Sequence, residues 1–265
     1  FAIIPISFSV SPFMVFTEGM LAWPPDPEAW SIRWYRNMIG DCSADVVSST
    51  VPCSTKWMKG TVNSFYIGII ATVIATALGT LAALGLSRPH MPYKGLIMAI
   101  LISPMIVPLI ITAAGMFFFY ARINLVYTFT GVILAHVALA TPFVVITVTA
   151  TLVGFDMNMV KAAQSLGAKP MRTFFKVIMP LILPGIISGA LFAFITSFDE
   201  VVIVMFMASI DQLTIPKQMW AGIRQEISPV ILCMATCLVL LSIFLLTTVE
   251  VLRRRSEKLR GIKAR

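Results

Sequence analysis

The sequence predicts an all-α membrane protein with six transmembrane helices, and three observations carry that prediction. Hydrophobic residues make up 58% of the 265-residue chain and charged residues only 12%, whereas about a quarter of a soluble domain is charged. Uncharged runs of roughly 20 residues, the length that a helix needs to cross a bilayer, recur along the chain. Lysine and arginine gather on alternate connections between these runs. With no linker or repeat to divide it, we expect residues 1–265 to form one membrane domain.

Five uncharged runs are long enough to span a membrane. They cover residues 61–87, 95–121, 123–155, 177–198 and 227–249. The third run has room for one span preceded by a short extracytoplasmic approach. Residues 1–17 are also uncharged but are interrupted by Pro5 and Pro12. Because the chain starts at Phe1 rather than at a methionine, we interpret this stretch as the end of a first span that is truncated at its N-terminus.

The positive charges orient these spans. Residues 87–94, 154–176 and 252–265 together contain 13 of the 20 lysines and arginines, while the remaining seven are balanced by acidic residues on the other connections. Cytoplasmic loops carry the excess of positive charge. We therefore place both termini, a loop over residues 156–180 and the basic tail in the cytoplasm, and the segment 11–60 outside. A basic balance spread over one membrane face predicts contact with membrane lipid rather than with nucleic acid.

The segment 11–60 is the longest extracytoplasmic connection. Its stretch 23–39 carries three tryptophans interleaved with two arginines. That pattern favours an amphipathic helix that anchors at the membrane–water interface over a ligand-stacking site. Cys42 and Cys53 lie in the same segment, where oxidation is permitted. A loop-closing disulfide and two free thiols both remain open.

Small residues recur at helical spacing on two of the predicted spans. Helix contacts in lipid depend on such residues, because they let backbones approach closely. The stripes predict close helix–helix crossings in a bundle. They consist of Gly68, Thr72, Thr76, Gly79 and Ala83 on one span and Gly185, Gly189, Ala193 and Ser197 on another.

Ionisable residues inside the spans are rare, and we single out His136, Asp199 and Glu200. Such groups are costly in hydrocarbon and usually face a cavity or a partner. Read as neighbours on one helix, Asp199 and Glu200 point about 100° apart, and Thr196 lies on the Asp199 face. The acids either line a path for a cationic solute or make structural hydrogen bonds or ion pairs within the bundle. For His136 a helix–helix hydrogen bond is the favoured reading and a place in the pathway the alternative.

Catalytic patterns are missing from the sequence. It has no GxxxxGK[ST] loop, so we expect no nucleotide hydrolysis by this chain. It also has no HExxH motif and no Cys/His metal cluster. The intramembrane acids are adjacent, which does not suit an acid–base pair. The sequence therefore predicts a protein that is not an enzyme and holds no metal or cofactor of its own.

The stretch 161–180, KAAQSLGAKPMRTFFKVIMP, is a basic island between two apolar spans. Residues 162–166 favour a short helix. Gly167 is expected to end that helix, and Pro170 to begin a second one. The sequence thus predicts a shaped, positively charged helix–turn element on the cytoplasmic face.

This island resembles the EAA loop of ABC importer permeases, whose pattern is EAA, three residues, Gly, nine residues, then I-x-L-P. Lys161 stands where that pattern has Glu, which reverses the charge. The resemblance implies that the loop couples the permease to a separate ATPase. The positions carried over as coupling residues are Lys161, Ala162, Ala163, Gly167, Ala168 and Pro180.

Other stretches resemble the second permease of spermidine/putrescine importers. They are WSIRWYRNMI, NSF, HVALATPFVVITV, SFDEVVIVMFM and LTIPKQMWAGIRQEISP. The resemblance implies a six-helix type I ABC importer permease of the bacterial inner membrane that moves polyamines inward by alternating access. It also implies a second homologous permease subunit, two copies of a P-loop ATPase that bind ATP and Mg, and a periplasmic solute-binding protein. The alternatives are the same type of permease for an opine, a phosphonate or a metal chelate and, less favoured, a self-sufficient channel or membrane enzyme.

Overall fold

The computed structural model describes residues 3–9, 20, 30–40, 55–88, 90–153, 158–225 and 229–259. These residues are helical except for turns, connections and an isolated bridge between Ser9 and Trp30. A π-helical turn at Phe174–Ile178 lies between α8 and α9. The helices are α1 (Ile3–Ser7), α2 (Arg33–Met38), α3 (Lys56–Leu86), α4 (Lys94–Ile106), α5 (Leu109–Arg122), α6 (Phe129–Val153), α7 (Asn158–Ser165), α8 (Pro170–Thr173), α9 (Met179–Phe198), α10 (Val202–Met207), α11 (Ile215–Gln225) and α12 (Val230–Leu259).

Within the described residues, four helices are long and apolar enough to cross a membrane. They are α3, α6, the stretch Pro170–Phe198, and Val230–Thr248 of α12. The bent pair α4 and α5 makes a fifth span when it is counted as one. These five coincide with the five predicted runs, which confirms the all-α membrane fold. Of the predicted first span, α1 is described, and most of the rest lies outside the described residues.

The second predicted run is not an uninterrupted helix. α4 and α5 meet at an angle of 103°. Val107 between them is extended, with φ −71° and ψ 137°. It precedes Pro108, which disfavours a helical conformation at the residue before it and has no N–H to donate. The break therefore follows from the Val-Pro pair.

The chain falls into two compact units. The first comprises Phe1–Ser64 and Ile210–Val251. In it Trp34 is fully buried, and its Nε1 donates a hydrogen bond of 2.9 Å to the carbonyl of Ser9. The interfacial anchor predicted for this stretch is wrong for Trp34, because its ring packs inside the protein. Trp23, Cys42 and Cys53 lie outside the described residues.

The second unit comprises Phe65–Ser209 and Leu252–Arg265. Its buried centre is α6, which packs against α9. A Cβ added to Gly189 of α9 would lie 3.0 Å from the Cα of Val144, and one added to Gly185 would overlap a threonine hydroxyl of α6. A Cβ added to Gly79 of α3 would lie 2.7 Å from the Cβ of Val144. The close crossings predicted from the small residues are confirmed.

The fourth span is longer than predicted. α8, the π-helical turn and α9 run on as one 29-residue helix from Pro170 to Phe198, whereas the predicted run began at residue 177. Pro180 lacks the N–H that would bond to the carbonyl of Lys176 in an α-helix. The π-helical turn lies at this position, where the regular ladder is interrupted.

Candidate functional site

Residues 158–180, here called the basic segment, form a helix, a tight turn and a second helix start. Gly167 has a left-handed φ of +79°. Its N–H donates to the carbonyl of Gln164 (2.9 Å), and the N–H of Ala168 donates to the carbonyl of Ala163 (3.0 Å). This pair of bonds is a Schellman motif, in which glycine is favoured at the left-handed position. The predicted helix end at Gly167 is confirmed.

The second helix of the basic segment starts at Pro170, as predicted. Lys169 before it is extended, with φ −64° and ψ 152°. The carbonyl of Lys169 accepts hydrogen bonds from the N–H and the hydroxyl of Thr173, at 3.0 and 3.3 Å. Backbone geometry on both sides of the turn is thus fixed by local bonds. A short element held in this way can transmit a rigid-body displacement.

Many side chains of the basic segment are exposed. Leu166 is 89% exposed and Met171 is 71% exposed. The six predicted coupling residues divide into the exposed Lys161, Ala162, Gly167 and Pro180 and the partly buried Ala163 and Ala168. Because Leu166 is exposed and the neighbouring Ala162 and Ala163 are small, another protein surface could approach the backbone of this helix closely.

The two acids predicted to lie on one helix sit instead at a break between two helices. α9 ends at Phe198, and Asp199 is its exposed C-cap residue. Glu200 is buried, and its Oε1 accepts a hydrogen bond of 2.9 Å from the N–H of Ile203 in the first turn of α10. A carboxylate that accepts a hydrogen bond from an N–H in the first turn of the next helix favours the start of that helix over continuation of the preceding one. The placement of both acids within the helix is therefore corrected.

His136 is 1% exposed, and its Nδ1 is 2.8 Å from the hydroxyl oxygen of Ser197. This bond joins α6 to α9, so the favoured reading of His136 as a helix–helix hydrogen bond describes what the structure contains. The Nε2 atom of the same ring is buried and has no hydrogen-bond partner among the described residues. From the sequence, Ser197 was predicted only to allow close helix packing. Its position in the sequence did not indicate that it would bond to His136.

The predicted pathway residues do not form one cluster. In the part of the chain that the structure describes, no hydrogen bond joins His136 to Thr196, Asp199 or Glu200. Thr196 is partly buried near the end of α9, and Asp199 faces outward. Thr196, Asp199 and Glu200 lie at or just after the end of α9, whereas His136 lies on α6. No group of three potential metal ligands occurs among the described residues.

The sequence analysis did not predict a set of hydrogen bonds in the first unit, between α3 and the residues at the start of α11. The side-chain amide of Asn63 on α3 donates to the carbonyls of Asp211 and Leu213, at 2.7 and 2.9 Å. The hydroxyl of Ser64 accepts a bond of 2.8 Å from the N–H of Ile215. Both residues belong to the NSF stretch, and two of their three partners, Leu213 and Ile215, belong to the LTIPKQ stretch. The two sequences are thus one structural unit.

A cavity of about 530 Å³ opens at the end of α3 and contains none of the predicted site residues. It is lined by Gly85, Arg88, His90, Met91 and Pro92.

Residues 62–258 match the family described as the binding-protein-dependent transport system inner membrane component. The chain belongs to this family. It is an ABC importer permease and a multi-pass membrane protein. The matched range contains the whole basic segment and the helix that continues from it. The resemblance inferred from the island is confirmed at the level of the family.

Curated relatives of the permease transport different solutes. The spermidine/putrescine transport system permease protein PotC of Haemophilus influenzae is 29% identical over 200 residues, covering 76% of this chain and 78% of that protein. The putrescine transport system permease protein PotI of Escherichia coli K12 is 29% identical over 215 residues, covering 78% and 72%. The trehalose transport system permease protein SugB of Mycobacterium tuberculosis is 28% identical over 213 residues, covering 79% and 72%.

Solved structures share the fold. A chain of a bacterial ABC transporter involved in the import of the acidic polysaccharide alginate superposes with a TM-score of 0.67 at 14% identity. The match covers 94% of the permease and 88% of that chain. A second match, to an amino acid ABC transporter, has a TM-score of 0.58 at 17% identity and covers 76% and 94%.

Proposed function

We propose that this permease imports polyamines such as spermidine and putrescine across a bacterial inner membrane. It acts with a second homologous permease subunit, two copies of an ATPase that bind ATP and Mg, and a periplasmic solute-binding protein. Both termini and the basic segment lie in the cytoplasm. The proposal is supported by the similarity to PotC and PotI over about three quarters of the chain. Because the sequence has no P-loop, we expect the purified chain alone to hydrolyse no ATP.

One observation carries the mechanism: a continuous helix joins the basic segment to the intramembrane acids. The 29 residues from Pro170 to Phe198 reach about 43 Å at 1.5 Å per residue. That length exceeds the hydrocarbon core of about 30 Å. A displacement of the basic segment by the ATPase therefore moves the end of the helix next to Asp199, on the far side of the membrane.

The contacts of α9 suit such a displacement. Gly185 and Gly189 bring α9 into close contact with α6. Packed helices can slide past one another in small shear motions. The bond between His136 and Ser197 ties the outer part of α9 to α6 in this conformation. Alternating access then requires either that α6 moves with α9 or that this bond breaks.

The two acids take different roles in this proposal. Asp199 is exposed next to the end of the moving helix, where its carboxylate attracts an ammonium group of the solute. Glu200 is buried and engaged with the backbone of α10. Its role is to fix the helix break that presents Asp199.

Uptake of labelled putrescine by the reconstituted complex tests this division. Asp199→Asn should lower polyamine uptake severalfold, because it removes the charge and keeps the shape. Glu200→Gln keeps an oxygen acceptor for the Ile203 N–H and should have a smaller effect, whereas Glu200→Ala should destabilise the helix start by about 0.5–2 kcal/mol. Unchanged putrescine uptake in Asp199→Asn would contradict the role of Asp199 in attracting a cationic solute.

The similarity to SugB favours a second candidate, an importer of an uncharged sugar. Binding of labelled putrescine, spermidine and trehalose to the binding protein that co-purifies with the permease separates the two. Capture of trehalose alone, with sugar uptake unaffected by Asp199→Asn, would establish the second candidate.

A further inference from the structure

The cavity at the end of α3 is lined by two basic side chains that the described protein does not neutralise. Arg88 and His90 are exposed, and their side chains make no hydrogen bond or ion pair with another described residue. The sequence has no Asp or Glu between Asp45 and Asp156. The volume of about 530 Å³ lies within the range of about 300–1,000 Å³ that is usual for small-ligand sites. The cavity therefore favours an anionic ligand.

The backbone around the cavity is held by local hydrogen bonds. The N–H of Arg88 donates to the carbonyl of Gly85 at 3.2 Å, and the N–H of Met91 donates to the carbonyl of Arg88 at 3.4 Å. Beside Gly85 there is open space, since a Cβ added there would meet no heavy atom within 4 Å. The lining residues are thus positioned before a ligand enters, which lowers the ordering cost of binding.

The place of the cavity in the membrane domain favours a lipid headgroup over a soluble anion. It lies where α3, a helix long and apolar enough to span a membrane, comes to its end. Tyr93, which follows the cavity, is 79% exposed, and tyrosine is enriched at the level of the headgroups. Beyond it Leu96 and Ile100 of α4 are 60% and 62% exposed. Their spacing of four residues puts them on one face of α4, next in the chain to the basic cavity.

We propose that this cavity binds the phosphate group of an anionic phospholipid on the predicted cytoplasmic face. The guanidinium group of Arg88 pairs with the phosphate oxygens, and the ring of His90 donates a further hydrogen bond. An acyl chain of the same lipid lies against Leu96 and Ile100. Arginine suits this role because its planar group presents several N–H donors in a fixed geometry. Basic pockets between membrane helices on the cytoplasmic side bind anionic headgroups by the same chemistry.

Native mass spectrometry of the purified permease, with the subunits that co-purify with it, tests the site. The protein is reconstituted in vesicles of equal parts phosphatidylglycerol and phosphatidylcholine, and the retained molecules of each lipid are compared. The native protein should retain phosphatidylglycerol preferentially. Arg88→Gln should lower the ratio of phosphatidylglycerol to phosphatidylcholine about fivefold, the factor expected for one basic residue at an anionic lipid surface.

The matched control for the charge is Arg122→Gln. Arg122 is an exposed arginine at the end of α5, and it does not line the cavity. Its replacement should leave the lipid ratio unchanged. If Arg122→Gln lowers the ratio as far as Arg88→Gln does, the preference belongs to arginines at span ends in general, and the cavity is not the site.

Gly85→Phe tests the cavity without changing a charge. The added ring enters the open space beside Gly85 and should lower phosphatidylglycerol retention severalfold, with the Tm unchanged. Gly115→Phe adds the same ring at an open position on α5 and should keep the native ratio. A native ratio in Gly85→Phe would show that the headgroup binds elsewhere. The Arg88→Gln measurement does not depend on how the larger side chain is tolerated.

Inorganic phosphate distinguishes the two sources of the same chemical group. Added in large excess during extraction, it should not displace phosphatidylglycerol, because a free anion makes no apolar contact with α4. Displacement would assign the cavity to a soluble phosphate and overturn the lipid assignment. Equal retention of the two lipids by the native protein would overturn the inference altogether, as would a native ratio in Arg88→Gln.

Discussion

Replacement of Gly167 tests whether the shape of the basic segment carries the coupling. Its φ of +79° lies in the left-handed region. A Cβ added there would meet no heavy atom within 4 Å, so a substitution creates no clash. Any effect must therefore arise from the backbone, and the graded series Gly167→Asn, Gly167→Ala and Gly167→Val separates the contributions.

The magnitude follows from the conformation. An L-residue in the left-handed region costs about 1–2 kcal/mol, with asparagine at the low end and β-branched residues at the high end. A loss of 1–2 kcal/mol lowers the ratio of formed to unformed turn by a factor of about 5–30. We expect uptake to fall in the order Asn, Ala, Val, with Gly167→Val retaining a few per cent to a fifth of the native rate.

The assay is labelled-putrescine uptake and solute-stimulated ATP hydrolysis in proteoliposomes, with solute capture by the binding protein measured in parallel. Capture should not change in any variant. Gly115→Ala is the matched control, because Gly115 lies within α5 at a site where an added Cβ also meets no atom. Native coupling in Gly167→Val would refute the reasoning.

Further predictions concern the packing of each unit. Gly189→Leu should destabilise the purified permease by about 1–3 kcal/mol through overpacking against Val144, seen as a lower Tm; Gly115→Leu, which enters open space, should leave the Tm unchanged. Ser197→Ala should lower stability by about 1–2 kcal/mol, because the buried His136 loses its partner; a variant with native Tm would contradict that role. Asn63→Ala should cost about 1–3 kcal/mol for two lost bonds; Asn63→Asp, whose carboxylate faces the same two carbonyl oxygens, should lower the Tm at least as much.

Local chemistry let the sequence predict the basic segment closely. Gly167 and Pro170 impose their conformations on their own neighbours, so the turn could be read without tertiary information. The small residues around Gly189 also allowed the close helix crossing to be predicted, since helices in lipid approach closely where side chains are small. The solute and the partners remain predictions.

Tertiary contacts decided the features that the sequence did not disclose. The bond of His136 to Ser197 joins residues 61 positions apart, and no local pattern marks the serine as a partner. Glu200 looked like an intramembrane charge, and only its bond to the Ile203 N–H identifies it as part of a helix start. The bend at Pro108 has a different cause, because the Val-Pro pair produces it locally. It was not predicted because the whole run is apolar, a pattern that favours one continuous span.

That bend has a consequence for the number of membrane crossings. α4 and α5 have 13 and 14 residues, about 20 Å each, so neither crosses a hydrocarbon core of about 30 Å alone. If the pair returned to the face it left, α6 would deliver the basic segment to the opposite side from Arg88 and Lys94. The grouping of positive charge on one predicted face favours counting the pair as a single crossing. The backbone carbonyls released at the bend, which lipid cannot satisfy, must then face protein or water.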